Sequence, residues 1–535
     1  MKNLTAIPIS LISFFGFMPQ LQSQPPAAPG NIFDVRQYGA TGSKADSATA
    51  AIQQAVDACF KTGGGTVYLP PGAYTSGTSE LKDNVTLRLE AGATLFLTAN
   101  MQELRGRSRA LIYAEGAKNI AVTGKGTIDG QATYELVPAR GDDPEILKEI
   151  GIARSAGVDM RRYYRTGSQP YMLIINKSTN VLVQDVSVIN SPLWTMRISE
   201  CDRVFVRGVY LYSDLEKGVN ADGIDIVSSR NVTISDSIIT TADDAIVLKS
   251  PVRDKPVENV TVTNCVLTSS STAMMIGTET YADVRHVIFS NSVIRNSNKA
   301  FGINVQDGGT VSDVIFSGIT VDTSRRAWNW WGSAETFKFV LKKRTPQSKL
   351  GAIRDIVVDN VVSHARGTST ITGHAESPLE NIAISNVQIF MDEENAPDKR
   401  TTDAIVADGV NGLKLRNVSV KWADDKPEPM WQSALRLKNV TDLELSNFTG
   451  RQGLKTGKDA AIVLENVSDG VIRDSQASAG TGTFLEVRGA KSKDLRLRNN
   501  DLSRAARQLG FADGALPRSV VLKGTEPAPR PPAKP

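Results

Sequence analysis

Short runs of alternating apolar and polar residues recur along most of this chain. Asn180-Val181-Leu182-Val183, Asn231-Val232-Thr233-Ile234 and Asn259-Val260-Thr261-Val262 each open on a turn residue and continue with alternating apolar positions. Val314-Ile315-Phe316-Ser317, Asn381-Ile382-Ala383-Ile384 and Asp442-Leu443-Glu444-Leu445 repeat the pattern. Alternation of period two predicts half-buried strands. Its return at intervals of roughly 22 to 30 residues, with frequent Gly and Asn, predicts a solenoid. The L-x-x-L-x-L consensus of a leucine-rich repeat is absent. The expected fold is therefore all-β, a single right-handed parallel β-helix with three short strands per coil. No coil can bury its apolar face alone. Stacking coils about 4.8 Å apart pairs their backbones and builds a shared core of Val, Ile and Leu.

The ends of such a stack expose strand edges and need covering. Residues 48–60 (ATAAIQQAVDACF) carry helical spacing, with Ile52, Val56 and Cys59 or Phe60 on one face. They are the expected N-terminal capping helix, with Asp46 or Ser47 capping its first turn. Two loop insertions interrupt the repeat, at residues 131–170 and around Trp328-Asn329-Trp330-Trp331. Lys2 followed by the apolar run Leu4 to Phe17 reads as a secretory signal peptide over residues 1–23, since a membrane span needs about twenty apolar residues. The expected location is secreted or periplasmic. The β-helix domain should cover 24–525, with catalytic coils near 170–320 and extra coils near 391–525, before a Pro-rich tail at 526–535.

Charge changes this picture little. The 61 Lys+Arg against 57 Asp+Glu leave a net +4, which argues against nucleic acid as a partner. Three scattered cysteines and three unpaired histidines provide neither a disulfide framework nor a zinc site, so no metal or other cofactor is expected. No later stretch is long and apolar enough to span a bilayer, and the protein is expected to act as a monomer on a polysaccharide or oligosaccharide.

Candidate chemistry lies in residues 220–250. Asp222 precedes Asp243 and Asp244 by 21 and 22 residues, close to one coil. That spacing sets the three carboxylates on one face of neighbouring coils, where crowding perturbs the proton affinity of at least one. An acid beside ionised neighbours is what glycosidic cleavage requires. Turn chemistry is the plainer explanation for Asp236, Asp185 and Asp313, because Asp hydrogen-bonds its own backbone. Asp225 fits either support of the cluster or a turn.

Here the sequence resembles a family. Asn220-Ala221-Asp222-Gly223-Ile224-Asp225 and Ala242-Asp243-Asp244-Ala245 are similar to the N-x-D-G-[IF]-D and D-D signatures of glycoside hydrolase family 28, the polygalacturonases and relatives. Asn31-Ile32-Phe33-Asp34-Val35, Gly124-Lys125-Gly126-Thr127-Ile128-Asp129-Gly130 and Asn190-Ser191-Pro192-Leu193-Trp194 agree, over roughly residues 31 to 390. The resemblance implies an inverting hydrolase with Asp243 as general acid and with Asp222 and Asp244 holding and activating water.

Two departures stand out. Thr272 occupies the place of the family's Gly-His-Gly histidine, and Gly302 and Asn304 replace its carboxylate-binding Arg-x-Lys. Neither residue can make a charge-assisted contact to a carboxylate, although Lys299 lies close by in sequence. The expected substrate is pectic with a neutral sugar at that subsite, as in rhamnogalacturonan or an end-cutting rhamnosidase-like reaction. Trp330 and Trp331 could stack on sugar or pack in the core. Glu279 could bind a hydroxyl or form a solvated turn, and His374 could reach substrate from its loop. His286 reads as structural, and Lys342-Lys343-Arg344 as a solvated face with some attraction for polyuronate. Two other readings are a calcium-dependent lyase on the same fold and a non-catalytic carbohydrate-binding solenoid.

Overall fold

The computed structural model describes residues 31–105, 109–132, 137–138, 144–158, 164–165, 169–326 and 332–525. The signal peptide expected at 1–23, the tail at 526–535 and both Trp330 and Trp331 lie outside the described residues.

The chain winds into a right-handed parallel β-helix. Three ladders of strands run its length, and their strand pairings are all parallel. The first passes through Gly65–Leu69, Thr179–Gln184, Arg230–Ser235 and Val257–Thr263 to Val520–Lys523. The second includes Ser187–Ile189, Tyr210–Tyr212, Ile238–Thr241 and Val266–Ser269. The third includes Tyr171–Asn176, Met196–Ser199, Ile224–Val227, Ile246–Ser250, Thr272–Thr280, Lys299–Val305 and Glu335–Leu341. The same ladders continue through residues 405–523.

Register explains the repeat in the sequence. Val181, Val204, Val232, Val260, Val287 and Val314 stack in one buried inward column of the first ladder. Aromatic rings fill the wider middle coils: Phe316 stacks on Phe289 at 5.2 Å and on Phe301 at 4.7 Å between centroids. The turn asparagines adopt left-handed backbone, as Asn180, Asn231 and Asn259 do with φ of 59, 56 and 59°. Short polar side chains tolerate that region. Their amides form a ladder on the outside, with Asn259 Nδ2 donating to Asn231 Oδ1 at 3.0 Å. Asp185, Asp236 and Asp313 take the same left-handed geometry. Asp236 is exposed and accepts from Ser235 Oγ and Asn264 Nδ2, as a turn residue should. His286 sits within the asparagine column, its Nδ1 3.3 Å from Asn259 Oδ1.

The capping helix spans Thr49–Lys61 and buries Ile52, Val56 and Cys59, leaving Phe60 outside. Its N-cap differs from expectation. Ala48 holds that position and makes no side-chain cap. The Asp46 carboxylate accepts from Thr41 Oγ1 within its own turn, whereas Ser47, in a strand bridge to Thr75, still takes the first-turn Thr49 N–H on its Oγ at 3.4 Å.

One corner differs from the others in the length of its connections. The connections from second to third ladder include residues 213–223, and then shrink to 242–245, 270–271 and Asn298 alone. They lengthen again at 324–334 and 392–404. The 131–170 insertion, with its helix Pro144–Ser155, leaves from this same corner. Asp222 thus ends a long connection, and Asp243 and Asp244 lie on the first of the short ones.

Phe316 stacks on three rings, those of Phe289, Phe301 and Phe339, so Phe316→Ala should lower unfolding free energy by about 3–5 kcal/mol. Urea denaturation followed by circular dichroism checks it. A loss below about 1 kcal/mol would show that the coils repack around the gap.

Candidate active site

The site is built by close coil stacking at Gly223. A Cβ there would lie 2.3 Å from the Ala245 carbonyl oxygen, so only glycine lets the two backbones meet. The Gly223 N–H donates to the Asp244 carbonyl at 2.9 Å and fixes that approach. One carboxylate oxygen from each of Asp222, Asp243 and Asp244 consequently lies within 4.8 Å of the other two. All three are buried, at 2, 6 and 8% exposure. The same group has the spacing to hold a metal ion, among the described residues.

Each carboxyl is held differently. Asp244 Oδ1 accepts from Ser271 Oγ at 2.8 Å and from the Thr272 N–H at 3.1 Å. Asp243 accepts from the Asp244 N–H and from Asn220 Nδ2 at 3.2 Å, and its carbonyl takes hydroxyl bonds from Thr241 and Ser269. Asp222 Oδ1 is buried without a partner. Burial, then the charge of Asp244, pushes the Asp243 carboxyl up to about 7, against the pull of Lys249. Burial, then Asp243 and Asp225, holds Asp222 well above the ordinary carboxylate range.

Asp225, expected to support the cluster or shape a turn, is not in a turn. It lies in the strand Ile224–Val227, is fully buried, and both its oxygens lack hydrogen-bond partners. Alternation along that strand turns it outward, but neighbouring coils cover it. Its nearest cation is Lys249, 4.0 Å from Oδ1. Burial raises its pKa well above normal, opposed chiefly by Lys249.

Lys249 ties the site together. Burial favours its neutral form, but Asp222, Glu279, Asp225 and Asp244 outweigh that and raise its pKa. Its Nζ is 3.3 Å from Glu279 Oε2 and 4.8 Å from the centre of the Trp194 ring, a cation–π contact. Tyr171 packs edge-on against Trp194 at 5.9 Å. The sequence reading missed Lys249, although a lysine directly after Ala245-Ile246-Val247-Leu248 breaks an apolar run and was a usable signal. Burial pushes the Glu279 carboxyl up, but Lys249, a backbone hydrogen bond and Arg344 together hold its pKa below normal.

Past the acids, Thr272 accepts at Oγ1 from Lys299 Nζ at 3.2 Å, so one threonine joins Asp244 to Lys299. Lys299 is therefore beside the acid cluster. Asn304 follows Gly302 on the outer side of its strand, with Oδ1 buried and unpartnered. His374 is not gathered in: its strand, Ser369–Thr372, lies four coils beyond Ile246–Ser250, and its Nδ1 accepts from the Glu376 N–H. The basic run is more than a solvated face. Lys343 pairs with Glu376, and Arg344 forks onto the buried Asp307 at 2.7 Å through both Nε and Nη2.

The described residues thus give a parallel solenoid with three buried carboxyls clustered at one corner. Comparison with known proteins makes this specific: the chain belongs to Glycosyl hydrolases family 28, whose profile matches residues 59–406. An endo-polygalacturonase of Pectobacterium carotovorum subsp. carotovorum is 29% identical over 255 residues, covering 44% of this chain and 60% of that protein. An exopolygalacturonase of Zea mays is 25% identical over 225 residues, covering 41% and 49%. The chain thus spans about half to three-fifths of the length of these curated relatives. Among solved structures, the exopolygalacturonase of Thermotoga maritima aligns with a TM-score of 0.60 at 23% identity, over 74% of this chain and 93% of that one. The family 28 exopolygalacturonase of Yersinia enterocolitica gives 0.57 at 20%, over 77% and 78%. Both share this fold.

Lys249→Met removes the charge that lowers the proton affinity of Asp222, Asp225 and Asp243. Carboxyl titration followed by NMR should move to higher pH. Unfolding free energy should drop by about 3–5 kcal/mol at pH 8, where a buried carboxylate loses its partner, and by less at pH 5. An unchanged titration would mean that Lys249 does not balance the cluster.

Proposed function

We propose that this protein hydrolyses glycosidic bonds in a pectic polysaccharide or oligosaccharide, with inversion, using Asp243 as general acid and Asp222 with Asp244 to hold and activate water. The observation that carries this reading is the buried three-carboxyl cluster of a family 28 solenoid. An acid with a pKa near 7 stays protonated under mildly acidic conditions, and its proton affinity matches the task. Asp243 gives its proton to the glycosidic oxygen as the C1–O bond breaks. Water between Asp222 and Asp244 attacks C1 from the opposite face and yields its proton to that pair. Proton exchange with solvent then restores Asp243.

Asp244 suits the ionised role, because two donors converge on one of its oxygens and leave the other for water. Four carboxyls cannot all be charged around Lys249, so the cluster keeps protons that a lone carboxylate would have lost. The 4.8 Å approach is shorter than the roughly 6.5–9.5 Å of ordinary inverting pairs and nearer the spacing of retaining ones. Inversion is supported here by a third carboxyl, which lets two hold the water while the other serves as acid. Trp194, backed by Tyr171, offers an aromatic face for a sugar ring.

Three measurements follow. Asp243→Asn should lower kcat by about 10²- to 10⁴-fold on a pectic substrate. In the unaltered enzyme, activity should fall as pH rises through about 7, because the acid must carry its proton. NMR of the first-formed sugar should show the inverted anomer. Retention would reassign one aspartate as a nucleophile, and an unsaturated, ultraviolet-absorbing product would replace hydrolysis with elimination.

A further inference from the structure

We propose that Lys299 and Lys338, on successive coils, form a carboxylate-binding pair beside the acid cluster and select a charged sugar at that subsite. This inference rests on the hydrolytic reading of the same site. It replaces the neutral subsite expected from positions 302 and 304 alone.

Register supplies the geometry. Asp225, Val247, Met275, Gly302 and Lys338 occupy one outward column of the third ladder. The position over Gly302, where the family resemblance places an arginine, is already filled. A Cβ there would lie 2.5 Å from Met275 Sδ, 3.2 Å from Thr272 Cγ2 and 3.5 Å from Lys299 Cδ. The Lys299 stem therefore crosses the space that a longer side chain at 302 would need. Its Nζ ends at Thr272 Oγ1, pointing back toward Asp244. Lys338 rises from the next coil on the far side of Gly302 and is partly buried. The two ammonium-bearing side chains thus straddle Gly302.

Charge points the same way. Among the described residues, neither lysine has a carboxylate within ion-pair distance, and Lys299 is 6% exposed. Glu335, its register partner on the next coil, is the strongest favourable charge on Lys299, and Lys338 opposes it. Burial together with that repulsion lowers the Lys299 pKa. Lys338 repels Lys299 while Glu335, Asp244 and Asp243 attract it without an ion pair, so an anion placed between the two lysines is stabilised by both. A sugar carboxylate is the anion that a pectic chain carries. Lysine donors on separate stems hold it as point charges, without the fixed fork of an arginine.

The test compares galacturonate oligomers with their methyl esters, which keep the ring and lose the charge. The unaltered enzyme should favour the acid form. Lys338→Met should raise KM for the acid form by about 10- to 100-fold and leave the ester within about threefold, and Lys299→Met, which also releases Thr272 Oγ1, should raise KM more for the acid than for the ester. Lys338→Arg should keep the preference, which a packing role would not produce. Calorimetric binding to the Asp243→Asn protein gives the same comparison without turnover, and circular dichroism confirms folding of each variant. Equal losses on acid and ester, or an unaltered enzyme that prefers the ester or another neutral pectic sugar, would overturn the lysine pair while leaving the hydrolytic reading intact. Absence of hydrolysis and of binding for every pectic substrate would instead remove both.

Discussion

Parallel pairing between coils holds each residue about 4.8 Å from its counterpart on the next turn. That spacing is imposed by the backbone, and the side chains must accept it. Where the stacked residues are valine or asparagine, as at Val232 over Val204 or Asn259 beside Asn231, neighbours gain contacts or amide bonds. Where they are aspartates, neighbours repel. Relief by sliding is closed off, because a one-residue slip would turn the apolar columns outward. The Gly223 contact with Ala245 tightens the same constraint at the point where the carboxyls meet.

The strain of that arrangement resolves through protons and lysines. Lys249 answers the buried Asp225 from the adjacent coil, and Glu279 and Trp194 complete its surroundings. Thr272 carries the connection onward, bonding Asp244 through its backbone and Lys299 through its side chain. Along the helix axis the site therefore passes from acid-rich coils to lysine-bearing ones within a few turns. The family histidine is absent from this path, and a threonine transmits contact in its place.

Much of this was legible in the sequence because a solenoid converts spacing into proximity. The 21- and 22-residue intervals sufficed to bring Asp222 to Asp243 and Asp244, and the alternating runs sufficed for the ladders. The burial of Asp225 was not legible because alternation shows which face a side chain leaves from, not whether neighbouring coils cover it. Asp46 was misread because its carboxylate found Thr41 first. Lys338 escaped notice for a different reason: it pairs with Gly302 across a coil lengthened by the 324–334 loop, where a regular interval misses the register. Pairing between coils is a long-range fact, and irregular coils hide it.

The constant rise also works as a ruler. One coil advances by about 4.8 Å, comparable to the length of a single pyranose residue, so each turn offers about one sugar's worth of surface. Gaining or losing a whole turn would add or remove a binding position while leaving the others in place. Lengthening a corner connection, as at 392–404, leaves the register of the strands it joins unchanged. The architecture thus separates how many sugars are held from how they are cut, and lets each vary alone.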